Sequence, residues 1–116
     1  MRVLICGGRN YTDRAELCAE LDRLHAEYDF GTVISGGASG ADALAVEWAQ
    51  ARGIATQVFA AEWGTFGRRG SASSLRNARM LAESRPDIVV AFPGGHRTAN
   101  MVKQAKAAGV WVLTVD

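Results

Sequence analysis

Residues 32–50 read TVISGGASGADALAVEWAQ, and this stretch decides the fold. It opens on Thr32, Val33 and Ile34, β-branched residues of the kind that build a buried strand. A glycine-rich turn follows at once, and then Leu44, Ala45, Trp48 and Ala49 recur at helical spacing. A strand, a glycine turn and a helix make half of a βαβ unit.

Reading outward, the same alternation fills the chain. Short apolar runs at residues 3–6, 54–59, 87–92 and 110–115 read as further strands. Three more helical patterns lie between them: Leu17, Leu21 and Leu24; Leu75, Ala78, Leu81 and Ala82; Met101, Val102, Ala105 and Ala108. Asp13 and Glu16 have the spacing of a capping box, and Gly53 and Gly109 stand where helix stops belong. Five strands alternating with four helices predict an α/β, Rossmann-like three-layer sandwich around a parallel sheet, because each parallel crossover must be right-handed and bury a helix. The longest connection, residues 59–87, marks the jump back across the sheet and favours the order 3-2-1-4-5, with the flavodoxin-like 2-1-3-4-5 as the alternative. Thr56 and Gln57 interrupt the third strand as an edge position would, whereas the first and fourth are nearly unbroken apolar.

Composition sets the outer limits. The 116 residues, 48% hydrophobic and 22% charged with a net charge of +1, suit a single domain over residues 1–116. Such a charge argues against a surface built to coat nucleic acid. There is no run of transmembrane length, and Met1 leads straight into a strand, so no membrane partner is expected. Cys6 and Cys18 lack CxxC spacing and histidine neighbours; they read as small core hydrophobes in a reducing cytoplasm, with no metal site. Neither GxSxG nor a GK[ST] phosphate loop is present.

Three strand-to-helix turns are glycine-rich: Gly7-Gly8-Arg9-Asn10, Ser35-Gly36-Gly37-Ala38-Ser39-Gly40 and Pro93-Gly94-Gly95-His96-Arg97-Thr98. In order 3-2-1-4-5 all three ring the switch-point crevice at the carboxyl edge of the sheet, where open α/β sheets bind ligands. Lacking Cβ, glycine lets a ligand reach backbone N–H groups, and helix N-termini add donors and partial positive charge suited to phosphate. Ser35, Ser39 and Thr98 offer hydroxyls there. Each feature also has a plainer reading, in which glycine pairs simply tighten turns and arginines form a solvated face.

The basic segment of residues 68–79 holds Arg68, Arg69, Arg76 and Arg79. Arg76 or Arg79 could fork two hydrogen bonds onto a phosphate, whereas Arg68 and Arg69 read as solvated. Asp42, in the first turn of its helix, is a ribose-hydroxyl acceptor, a general base, or a partner of the helix dipole. His96 is the histidine near the crevice, and His25 reads as a surface residue. Trp63, with Glu62, Gly64 and Phe66, could stack on a base or pack its loop.

The segments GGRNYTD, SGGASGADALAVEWA, RNARML and AFPGGHRTANMVKQAKAAG together resemble the SLOG superfamily, and within it the YspA and cpYpsA-related group of small bacterial and phage proteins. The resemblance implies a Rossmann-like sheet that binds a nucleotide or nucleotide-derived molecule, and it brings Arg76 and Asn77 into the site. On this reading Gly36, Gly37, Gly40, Gly94, Gly95 and Thr98 hold phosphate and Arg76 clamps it. Gly8, Arg9 and Asn77 contact ribose or base, with Gly7, Ser35, Ser39, Pro93, His96 and Arg97 completing the ligand set. Related lonely-guy phosphoribohydrolases carry PGGxGTxxE; here Met101 stands at the glutamate position and Arg97 replaces the later glycine. Cleavage of an N-glycosidic bond, without metal or cofactor, thus remains open as the alternative to binding or sensing, with Asp42 as the catalytic candidate. The DNA-processing DprA relatives suggest a third role that the near-neutral charge disfavours. Trp48 and Trp111 could enlarge an apolar surface for a homo-oligomer.

Overall fold

The structure is a computed structural model that describes residues 1–59 and 70–115. Its elements follow the alternation: β1 (Arg2–Cys6), α1 (Arg14–Tyr28), β2 (Thr32–Ser35), α2 (Ala41–Ala51), β3 (Ala55–Val58), α3 (Gly70–Ser84), β4 (Ile88–Ala91), α4 (His96–Ala107) and β5 (Trp111–Thr114). The five strands form one parallel sheet in the order β3-β2-β1-β4-β5, which excludes the flavodoxin-like alternative.

Burial explains that order. In β1 and β4 the apolar run continues on both faces and almost every residue is buried, as a central position demands. In β3 and β5 the outer residues are exposed, as edges. One layer packs Leu17, Leu21 and Leu24 of α1 and Ala45 and Trp48 of α2 onto Val3, Ile5, Val33 and Val90. The opposite layer packs Met80 of α3 and Met101 and Ala105 of α4 onto Leu4, Ile34 and Val89.

Local chemistry fixes the ends. The Asp13 carboxylate accepts the Glu16 N–H at 3.0 Å, but Glu16 does not reach back; its carboxylate accepts the Tyr11 hydroxyl at 3.1 Å, so the capping box is one-sided. Gly53 and Gly109 stop their helices in the left-handed conformation, with φ of 68° and 78°. In each case the following residue, Ile54 or Val110, donates back into the helix at 2.9 Å, to Ala49 and Ala105 respectively. Those bonds draw Ile54 and Val110 out of the ladder, and the third and fifth strands begin one residue later than the apolar runs suggest.

Two aromatic expectations need correction. Trp48 is only 2% exposed: it fills the α1–α2 layer, donates from Nε1 to Asp22 at 2.9 Å, and lies under the Arg52 guanidinium. It contributes nothing to a docking surface, whereas Trp111 stays 42% exposed with Tyr28 edge-on at 5.0 Å. His25 is half-buried rather than on the surface, accepting the Phe30 N–H at Nδ1 and packing edge-on against Trp48. Cys6 is buried and Cys18 half-buried, both as free thiols. Among the described residues, no helix is long and apolar enough to cross a membrane.

Candidate functional site

β1 lies between β2 and β4, so the turn after β1 is flanked by the turns that start α2 and α4. The backbone of Gly8 ties the three together. Its N–H donates to the Pro93 carbonyl at 2.8 Å, and its carbonyl accepts the N–H of Ala41, the first residue of α2, at 3.1 Å. The Ser39 hydroxyl adds a bond to the Arg9 carbonyl at 3.2 Å. Residues 35–40 and 93–98, far apart in sequence, are thereby neighbouring walls.

Several glycines are dictated by this packing, and two of them shape the site. At Gly40, φ is 78° and an added Cβ would collide with the Gly8 carbonyl and the Arg9 backbone. At Gly36, an added Cβ would lie 2.8 Å from an Arg76 guanidinium nitrogen and 2.9 Å from Asp42 Oδ2. The missing side chain at Gly36 is what lets Arg76, from α3 on the far layer, approach Asp42 of α2. By contrast Gly95 has open space where a Cβ would stand.

The result is a basin of about 230 Å³ walled by Gly36, Gly37, Ala38 and Ser39 and bordered by Arg9, Arg76 and Arg97. Three arginines from three elements therefore border it: the β1–α1 turn, α3 and the first turn of α4. The N–H groups of Ser39 and Gly40, at the start of α2, have no acceptor among the described residues. Beneath the basin, sharing Gly36, Arg76 and Arg97, lies a small hole of about 20 Å³ lined by Cys6, Asp42, Asn77, Thr98 and Met101. That is room for about one water.

Electrostatics follow from burial. Asp42 is 6% exposed, and burial pushes its carboxyl up to about 6, against the opposing pull of the Ala38 N–H at 3.3 Å and of Arg76 and Arg97. Burial also raises the Cys6 thiol to about 12, with Asp42 adding to the effect, so Cys6 is inert as a nucleophile. Arg76 is held below its ordinary value, first by burial and then by Arg97, partly offset by Asp42. Arg76 and Arg97 thus sit close enough to repel each other.

The remaining residues divide plainly. Asn77 is buried and donates to the Arg97 carbonyl at 3.0 Å and to Asn100 at 3.1 Å, so it positions the first turn of α4. Ser35 is also buried; its hydroxyl donates to the Asp42 carbonyl and accepts the Gly37 N–H, and so faces the fold, not the basin. Thr98 lines the hole, while Pro93, Gly94, Gly95 and His96 are exposed and line neither the hole nor the basin. Arg79 does not join Arg76: it projects from α3 and pairs with Glu83, because three helical residues turn it out of the crevice. Trp63, Glu62, Gly64, Phe66, Arg68 and Arg69 lie outside the described residues. Sequence reading missed Ala38, whose N–H holds Asp42; its place between Gly37 and the helix start was the available signal. A larger groove of about 470 Å³ between α3 and α4, lined by Leu81, Ala82, Pro86 and Val110, is largely apolar and away from the basin.

Residues 1–66 match the YAcAr family, described as the YspA, cpYpsA-related SLOG family. The chain is similar to the Gene 61 protein of Mycobacterium phage D29, at 33% identity over 120 residues, spanning 97% of this chain and 94% of that protein. Among solved structures it is similar to the phosphoribosylglycinamide formyltransferase (purN) of Coxiella burnetii in complex with CHES. That match has 14% identity and a TM-score of 0.43, and covers 78% of this chain but only 40% of that one.

Two predictions follow from the packing and the burial. Gly40→Ala should cost about 1–3 kcal/mol in urea unfolding, whereas Gly95→Ala should stay within about 0.5 kcal/mol; equal costs would contradict the assigned packing. Because the folded-state pKa of Asp42 is raised from 3.8 to about 6, its ionisation removes stability as pH rises through that window. Asp42→Asn should therefore gain about 1–3 kcal/mol over the parent at pH 8 and little at pH 4, as read by melting temperature at each pH.

Proposed function

Because the chain belongs to the YspA, cpYpsA-related SLOG family, we propose that it binds a nucleotide or nucleotide-derived ligand, with a phosphate group in the basin between Arg9, Arg76 and Arg97. One observation carries this reading: guanidiniums from separate elements converge close enough to repel, over a helix start with open N–H groups, and the carboxylate beside them is buried with a raised pKa. An anion in the basin would offset that repulsion, and arginine forks suit phosphate oxygens. The largely apolar groove between α3 and α4 offers no comparable charge. On this reading the chain is a single cytoplasmic domain that acts as a sensor or processing module for that ligand.

A second reading, hydrolysis of an N-glycosidic bond, is favoured by Asp42. A carboxyl with a pKa of about 6, bordering a hole with room for about one water, has the features of a general base. Met101, at the position where the lonely-guy relatives carry glutamate, is 2% exposed and supplies no carboxylate.

Thermal shift against a panel of mono- and dinucleotides tests the binding reading. A ligand at a hundredfold its Kd should stabilise the protein by about 2.7 kcal/mol. Arg76→Gln should weaken binding at least about tenfold through lost charge-assisted hydrogen bonds. No stabilisation by any nucleotide would contradict the proposal. Free base released from a nucleoside monophosphate, and lost in Asp42→Asn, would favour the hydrolytic reading.

A further inference from the structure

We infer that the basin is a proton-coupled anion site: a dianion entering among Arg9, Arg76 and Arg97 brings a proton onto the Asp42 carboxylate. The inference rests on the phosphate reading above and adds to it how the site is regulated.

The geometry sets the coupling. Asp42 is only 6% exposed, and its Oδ2 accepts a long hydrogen bond from the Ala38 N–H at 3.3 Å. Against burial, its charged form is favoured first by that N–H and then by the guanidiniums around it. From α3 it faces Arg76, and from α4 it faces Arg97. From β1 it faces Cys6, a buried thiol that brings no charge of its own. On its own element it stands in the first turn of α2, beside the positive end of the helix dipole. Arg9 lines the basin from the β1–α1 turn.

The same two guanidiniums that hold Asp42 ionised are the ones an anion would engage, since Arg76 and Arg97 line both the basin and the hole beneath it. A bound dianion cancels their field at Asp42 and adds repulsion of its own. Burial is then opposed only by the Ala38 N–H and the helix start, and the carboxyl takes up a proton. The sign is fixed: if the carboxyl holds its proton more tightly in the complex, anion affinity is highest at low pH. It falls as pH rises from the free carboxyl's range towards that of the complex.

Inorganic sulfate is the probe, because it stays a dianion across the whole range and any pH dependence belongs to the protein. Titration calorimetry at pH 5 and pH 8, with two buffers of different ionisation enthalpy near pH 6.5, reads affinity and protons together. Sulfate should bind at least about tenfold more weakly at pH 8 than at pH 5, with uptake of up to about one proton per sulfate near pH 6.5. Asp42→Asn, checked for folding by circular dichroism, should bind with the same affinity at both values. Sulfate binding with no proton uptake and no pH dependence in the parent would overturn the coupling and leave the phosphate reading standing. A dependence that survives in Asp42→Asn would belong to another group, His96 first, and would also overturn it. Sulfate failing to bind at either pH would overturn the phosphate reading itself, and the coupling with it.

Discussion

The backbone of Gly8 is the constraint on which the site depends. Its N–H reaches Pro93 before α4 and its carbonyl reaches Ala41 at the start of α2, so the two peptide groups flanking one residue fix the spacing between two helix starts on opposite faces of the sheet. That bridge is possible only because β1 sits between β2 and β4. It also demands close backbone approach, which is why Gly40 can carry no side chain towards it. The glycines here serve two ends: Gly8 and Gly40 join the walls, and Gly36 leaves space for charged groups to meet.

Once the walls are joined, electrostatics shape what lies between them. Arg97 enters from the first turn of α4 and Arg76 from α3, and they meet over the loop that begins α2. Two like charges held together at partial burial are costly, and Asp42 offsets that cost only in part because its own burial favours the neutral acid. An arrangement of this kind is stable in isolation yet gains from an added anion. Asn77 fastens the first turn of α4 through the Arg97 carbonyl, which sets where that side chain leaves the helix.

Much of this was legible in the sequence because periodicity and connection length carry it. The long connection after β3 reported the jump that sets strand order, and the interrupted pattern of Thr56 and Gln57 reported an edge. The three glycine turns pointed to one crevice because strand order alone places them there. Other features were illegible for physical reasons. Trp48 could be read as surface or core, since helical spacing names a face but not what covers it. The Ser35 hydroxyl looked available, yet the fold engages it as both donor and acceptor. Arg76 and Arg79 could not be separated by spacing, because only the packing of α3 decides which of two nearby directions enters the crevice. The raised Asp42 carboxyl depends on burial, to which a first-turn aspartate gives no clue.

The most direct measurement is a titration of inorganic phosphate into isotope-labelled protein followed by NMR. Shifts should concentrate at the Ser39 and Gly40 amides and at the guanidinium Nε groups of Arg9, Arg76 and Arg97. Shifts confined to the groove around Leu81 and Val110, or none near the Gly8 bridge at saturating phosphate, would contradict a phosphate site between the starts of α2 and α4.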